Sequence, residues 1–149
     1  MVREAIAADV PRLVELGQRF FDETDMGQVT TYDPQSAGRN FAALLTMENA
    51  GVFVLDVGGE VVGVIAGLLA PYLFNAAELT GMELLWYVEP EHRGNFSSLR
   101  LVRVLEEWAR QQGAATFAMA AMMTSPAAVA DFYQRRGYRP QETHFVRRF

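Results

Sequence analysis

Two β-rich runs, Val52 to Val57 and Val61 to Ala70, flank Gly58-Gly59-Glu60 in the middle of the chain. A glycine pair between such runs is a strong hairpin signal, because glycine readily supplies the positive φ of a tight two-residue turn. Helical periodicity lies on both sides of this hairpin. The chain is therefore directed to a sheet containing antiparallel strands, with helices packed on it.

Upstream, Val2 to Ile6 reads as a short strand. Asp9 is placed to cap a helix whose apolar positions Val10, Leu13, Val14, Gly17, Phe20 and Phe21 follow the helical period. Asp25 to Thr31 lacks periodicity and reads as a loop. Asp33-Pro34 is an N-cap followed by proline at the first helical position, and Phe41, Leu44 and Leu45 give that second helix its buried side. Downstream, Pro71 to Thr80 is a connection of undefined form, and Met82 to Val88 is a third strong strand closed by Pro90. Leu101, Val102, Leu105, Trp108 and Ala109 mark one face of a helix. Its other face pairs Arg103 with Glu107 and Glu106 with Arg110, and Gly113 ends it. Ala115 to Ala120 reads as a strand, Pro126 to Arg135 as a helix stopped by Gly137, and His144 to Phe149 as a final strand. Hairpins first and β-α-β units second predict an α/β (α+β) fold in a single domain over residues 1–149. Its mixed, twisted sheet should have about six to seven strands flanked by about four helices.

Composition narrows the function. A net charge of -5 argues against a nucleic-acid surface, and the pairs Arg135-Arg136 and Arg147-Arg148 read as solvated faces. No apolar run is long enough for a bilayer, and Met1-Val2-Arg3-Glu4 does not open a signal peptide. The chain has no cysteine, which removes disulfides, thiolate metal ligands and a cysteine nucleophile, and fits a cytoplasmic protein. His92 and His144 are far apart in sequence and give little support to a metal site. A homodimer is compatible with this composition.

Chemistry concentrates at two places. The first is the strand–turn–helix junction from Glu83 to Leu99. Unpaired N–H groups at a helix N-terminus, with the helix dipole behind them, suit a pyrophosphate. Arg93 adds positive charge, Gly94 lets the backbone approach a ligand, and Ser97 and Ser98 supply caps or hydroxyls. An ordinary turn with a capping serine fits the same residues. The second place is Asp131-Phe132-Tyr133-Gln134-Arg135-Arg136-Gly137-Tyr138. Tyr133 reads either as core packing or as a proton donor for a thiolate leaving group.

Together these stretches resemble the GNAT acetyltransferase family, over nearly the whole chain and most strongly from Val52 to Tyr138. In that family the turn after the fourth strand carries an Arg/Gln-x-x-Gly-x-Gly/Ala motif that holds the coenzyme A pyrophosphate. Its counterpart here is Arg93-Gly94-Asn95-Phe96-Ser97-Ser98. Phe96 stands at the first motif glycine and Ser98 at the second. Phe96 fits only with a negative φ and its ring turned away from the phosphates. Where the family often has an asparagine, this chain reads Thr124-Ser125-Pro126, so a bond to the pantetheine arm would come from a hydroxyl such as Ser125.

The resemblance implies transfer of an acetyl or other short acyl group from acyl-coenzyme A to a primary amine by direct attack. The pantetheine arm would pair with backbone at Tyr87 and Val88, Tyr133 would be the general acid, and Glu83 is the expected base, with Glu78 a weaker candidate. Glu83 also reads as a solvated strand-end residue. Tyr32, Tyr72, Phe74 and Trp86 are candidates for an apolar acceptor slot, though residues of these types are more often core. The altered glycine motif leaves one alternative, a catalytically inactive module of this fold that binds coenzyme A or a protein partner.

Overall fold

The computed structural model describes residues 1–149. In chain order the elements are β1 (Val2–Glu4), α1 (Val10–Glu23), α2 (Pro34–Leu44), β2 (Ala50–Val57), β3 (Glu60–Tyr72), β4 (Asn75–Val88), α3 (Phe96–Gln111), β5 (Ala114–Ala118) and α4 (Ala127–Arg135). Short 3-10 turns precede α1, α2 and α3.

The sheet is mixed, in the order β1-β2-β3-β4-β5, antiparallel throughout except for the parallel β4–β5 pair. Five strands form, one fewer than the lower expected figure, and the four α-helices are as expected. The missing strand is His144–Phe149, which joins no sheet. Phe145 and Phe149 fall on one side of an extended chain and Val146 on the other, so neither side is consistently apolar. All three are exposed. The undefined connection from Pro71 to Thr80 is instead a tight β3–β4 turn at Leu73 and Phe74, with both strands extended around it. Asn75-Ala76-Ala77-Glu78 has weak strand propensity, and pairing with β3 overrides it.

Helices cover both faces of the central strands, which explains why Val52 to Leu55 and Val61 to Ala66 are apolar without alternation. On one face Leu13 and Leu16 of α1 and Phe41 of α2 pack on Val52, Val54, Val64, Ala66 and Tyr87. On the other, Leu101, Val102 and Leu105 of α3 pack on Phe53, Leu55, Val62, Ile65 and Val88. Each large aliphatic side chain buried this way contributes roughly 1.5–3 kcal/mol.

Polar contacts at Asp9 and on α3 differ from the sequence expectation, and one at Glu89 has no counterpart in it. Asp9 does not cap α1. Its carboxylate accepts from the Ile6 N–H and from Arg3, which also bonds Asp56 and so ties β1 to the β2–β3 turn. On α3, Glu107 pairs with Arg110 rather than Arg103, while Glu106 takes Arg136 and Tyr138 from the end of α4. Immediately beyond β4, the buried Glu89 carboxylate accepts from Arg12 at 2.7 Å and Arg19 at 2.6 Å, fixing α1 to the end of that strand.

Candidate active site

β4 and β5 part company midway. Their parallel pairing covers only Leu79 to Met82 against Ala114 to Ala118, whereas β4 continues to Val88. The register against β3 places Ala66 opposite Leu85 and Gly67 opposite Glu83, which leaves Leu84 as an extra residue. A bulge of this kind bends the strand and sharpens its twist, and here it sits where β5 is lost. From residue 83 onward, β4 therefore has a neighbour on one edge only.

The Glu89 N–H donates to Val62 O at 2.9 Å, which sets the phase of the ladder. Tyr87 then directs its N–H and C=O to Val64 of β3, and Trp86 and Val88 direct theirs to the open edge. Of the residues expected to pair with the arm, Val88 directs its backbone groups away from β3 and Tyr87 toward it, because alternate residues face opposite edges.

The open edge leads to the turn before α3. Gly94 has φ of +71°, and a Cβ there would meet nothing within 4 Å. Asn95, not Ser97 or Ser98, caps the helix. Its side-chain oxygen accepts from the Ser98 N–H at 2.8 Å, while the Ser98 hydroxyl donates to Asn95 O at 2.9 Å. No acceptor in the chain takes the amides of Gly94, Asn95, Phe96 or Ser97. Phe96 has negative φ, and its ring lies along α3 over the Arg103 guanidinium, 5.2 Å from ring centroid to Cζ. The backbone condition set by the sequence for Phe96, a negative φ, is therefore met.

Arg93 is already engaged. Its Nε donates to Val88 O at 2.6 Å, its Nη2 donates to Glu23 Oε2 at 2.6 Å, and it lies over the Tyr87 ring. The Tyr87 hydroxyl donates to Glu23 Oε1 at 2.7 Å. Burial and then the bond to Glu23 push the Tyr87 phenol up to about 12. Burial alone would raise the Glu23 carboxyl, but hydrogen bonds from Tyr87 and Arg93 outweigh it and hold the group below its usual range.

At the other end of the opening, Glu83 and Tyr133 meet. The Ala120 N–H donates to Glu83 Oε2 at 3.1 Å, and the Tyr133 hydroxyl donates to Ala120 O at 3.2 Å. Glu83 keeps some accessible surface, yet it is densely enclosed by protein. Burial raises its carboxyl to about 7 despite the opposing bond from Ala120. Tyr133 is only 6 % exposed. Burial, reinforced by the charges of Glu83 and Tyr138, pushes its phenol well above the usual tyrosine range. Its ring packs with Trp86, Phe132 and Tyr138.

The remaining candidates scatter. The Ser125 hydroxyl accepts from the Met122 N–H within its own turn. Tyr32 donates to Val14 O on the α1 side, Tyr72 bonds Thr116, and Phe74 projects from the β3–β4 turn. Trp86 lies across the sheet from Tyr32, so the four aromatic residues do not line one slot. Glu78 is exposed near the same turn. Sequence reasoning missed Ala120, whose role is carried by its backbone alone. It also missed Glu23, seventy residues from Arg93.

The family model for the acetyltransferase (GNAT) family matches residues 13–138. Three solved structures each match 100 % of this chain over 99 % of their own. A transcriptional regulator from Bacillus halodurans C-125 is 22 % identical with a TM-score of 0.83. A protein of Agrobacterium tumefaciens str. C58 described as a candidate acetyltransferase is 27 % identical with a TM-score of 0.79. The ribosomal-protein-alanine N-acetyltransferase of Brucella melitensis biovar Abortus 2308 is 19 % identical with a TM-score of 0.75. No curated protein sequence matches the chain.

Proposed function

Since the chain belongs to the GNAT acetyltransferase family, we propose that it transfers an acetyl or other short acyl group from acyl-coenzyme A to a primary amine. The observation that carries this reading is the parting of β4 from β5 after Met82 and Ala118. It opens a strand edge that runs from Glu83 to an N-terminal turn with four unbonded amides.

The turn fits a diphosphate. Oriented N–H groups at a helix start favour an anion, and the empty space where a Gly94 Cβ would sit admits close approach. Gly94, Asn95, Phe96 and Ser97 offer backbone donors; Trp86 offers both of its ladder groups to an extended arm and Val88 its N–H, the Val88 carbonyl being taken by Arg93. Ser98 buries its hydroxyl in the cap and contributes no free donor. When bound, acyl-coenzyme A supplies an activated thioester carbonyl.

The chain's own groups then manage protons. An amine arrives mostly as ammonium, and a carboxyl titrating near neutrality suits its deprotonation, so Glu83 Oε2 is the base. Tyr133 stays protonated at any working pH and can offer its Oη proton to a departing sulfur. Holding both reactants along one strand edge supplies much of the remaining acceleration. A fold neighbour named as a ribosomal-protein-alanine N-acetyltransferase accords with an amine acceptor.

Calorimetry with acetyl-coenzyme A, followed by thiol release across a panel of primary amines, tests the proposal. Binding followed by amine-dependent release is the expected result. Absence of binding at millimolar ligand would remove the enzyme reading.

A further inference from the structure

One buried side-chain polar atom in the chain has no hydrogen-bond partner, the indole Nε1 of Trp86. Buried donors are nearly always paired, because an unmatched N–H loses its bond to water without replacement. The position of this exception is specific. Trp86 lies on the unpaired half of β4, two residues from the bulge at Leu84. Its ring centroid is 6.2 Å from that of Tyr133 and 6.0 Å from that of Phe132. Glu83, Trp86 and Val88 share the sheet face that carries α3 and α4, since Gly67, Ile65 and Gly63 oppose them on one side of β3. The residue's ladder groups thus face the open edge, and its indole lies on the α3 and α4 face of the same strand segment, beside Tyr133.

Packing alone would be served by phenylalanine or leucine at this position. An indole in their place adds a single directional donor, left unmatched within the fold. An acyl-pantetheine arm is rich in carbonyl oxygens and poor in bulk, the chemistry such a donor accepts.

From these observations we infer that Trp86 is a positioning residue whose indole N–H receives a carbonyl oxygen of the acyl-pantetheine arm. This inference rests on the acyl-coenzyme A reading above. The accepting oxygen is either the thioester carbonyl, present only in the acylated ligand, or an amide carbonyl, present in both forms.

The test is a ¹H–¹⁵N spectrum of the whole chain, whose two tryptophans give two indole resonances. The Trp86 peak is identified by its loss in Trp86→Phe. Titration of wild-type protein with acetyl-coenzyme A should move this peak downfield, while calorimetry on the same samples records binding. A shift with acetyl-coenzyme A but not coenzyme A assigns the thioester carbonyl, and a shift with both assigns an amide carbonyl. Trp86→Phe, which keeps the aromatic packing, should weaken acetyl-coenzyme A binding about three- to tenfold, the usual worth of one neutral hydrogen bond. Binding with the Trp86 resonance unmoved would overturn the inference and leave the proposed function standing. No calorimetric binding would overturn both.

Discussion

Glu83 and Tyr133 are joined through one residue: Ala120 donates its N–H to the carboxylate and accepts the phenol at its carbonyl, at 3.1 and 3.2 Å. A carboxyl raised toward neutrality thus sits beside a phenol raised above its ordinary range, both by burial. The shared partner ties both side chains to one residue, through the two peptide units that flank its Cα.

If Glu83 is the base, activity depends on its ionised form. Transfer should rise with pH through the region of about 7, where burial places the carboxyl. Glu83→Gln should abolish that acid limb and lower kcat/KM by roughly 10²- to 10⁴-fold. A pH–rate profile checks this, and an unmoved acid limb in the variant would exclude Glu83 as base.

The same raised carboxyl affects stability with a definite sign. Between the ordinary glutamate range and about pH 7, folded Glu83 holds a proton that the unfolded chain releases. Stability therefore falls as pH rises through that window and levels above it. Glu83→Gln keeps the acceptor for Ala120 without the charge. The variant should be more stable than wild type above pH 7, by about 1–3 kcal/mol, and equal to it near pH 4. Urea denaturation at the two pH values measures the difference.

Tyr133→Phe keeps the packing with Trp86, Phe132 and Tyr138 and removes only the hydroxyl. Turnover should fall by about 10- to 1000-fold with the Kd for acetyl-coenzyme A little changed. Unaltered turnover would assign Tyr133 to packing alone, the other reading its sequence context allows.

Arg93 yields a competition experiment. Its guanidinium is bound to Glu23, so service to a diphosphate requires release from that carboxylate. Arg93→Ala should weaken coenzyme A binding, and Glu23→Gln, which loosens the restraint, should tighten it about two- to tenfold. Calorimetry on both variants decides. If Glu23→Gln leaves the Kd unchanged, Arg93 serves to brace α1 against β4 rather than to hold phosphate.

How far the sequence reaches depends on whether a feature is local. The Gly58-Gly59 hairpin and the Asp33-Pro34 helix start arise from neighbouring residues, and both are legible from composition and spacing. Glu83 and Tyr133 are legible as candidates because their residue types suit proton transfer. Their common contact at Ala120 is not, since a backbone partner leaves no mark on residue identity. The Glu23–Arg93 and Glu89–Arg12–Arg19 pairs are hidden for another reason. Each joins α1 to the end of β4 across some seventy residues of chain. The expected strand at His144–Phe149 had strand-forming residues without a consistently apolar side, and propensity without burial does not hold a strand.

Phe96 supplies the most direct test of the turn itself. A large ring replaces the smallest residue of the family motif, yet it is 68 % exposed and lies over Arg103, seven residues along the same helix. Its backbone has negative φ, so glycine's conformational freedom is not needed there. The amides of residues 94 to 97 have no acceptor in the chain, and all four residues are exposed. Phe96→Ala keeps the Phe96 amide and removes the ring. The Kd for coenzyme A should stay within about twofold of wild type, well under the tenfold that 1.4 kcal/mol represents. A tenfold gain in affinity would show that the ring obstructs the cradle. A tenfold loss would show that the ring itself contacts the nucleotide.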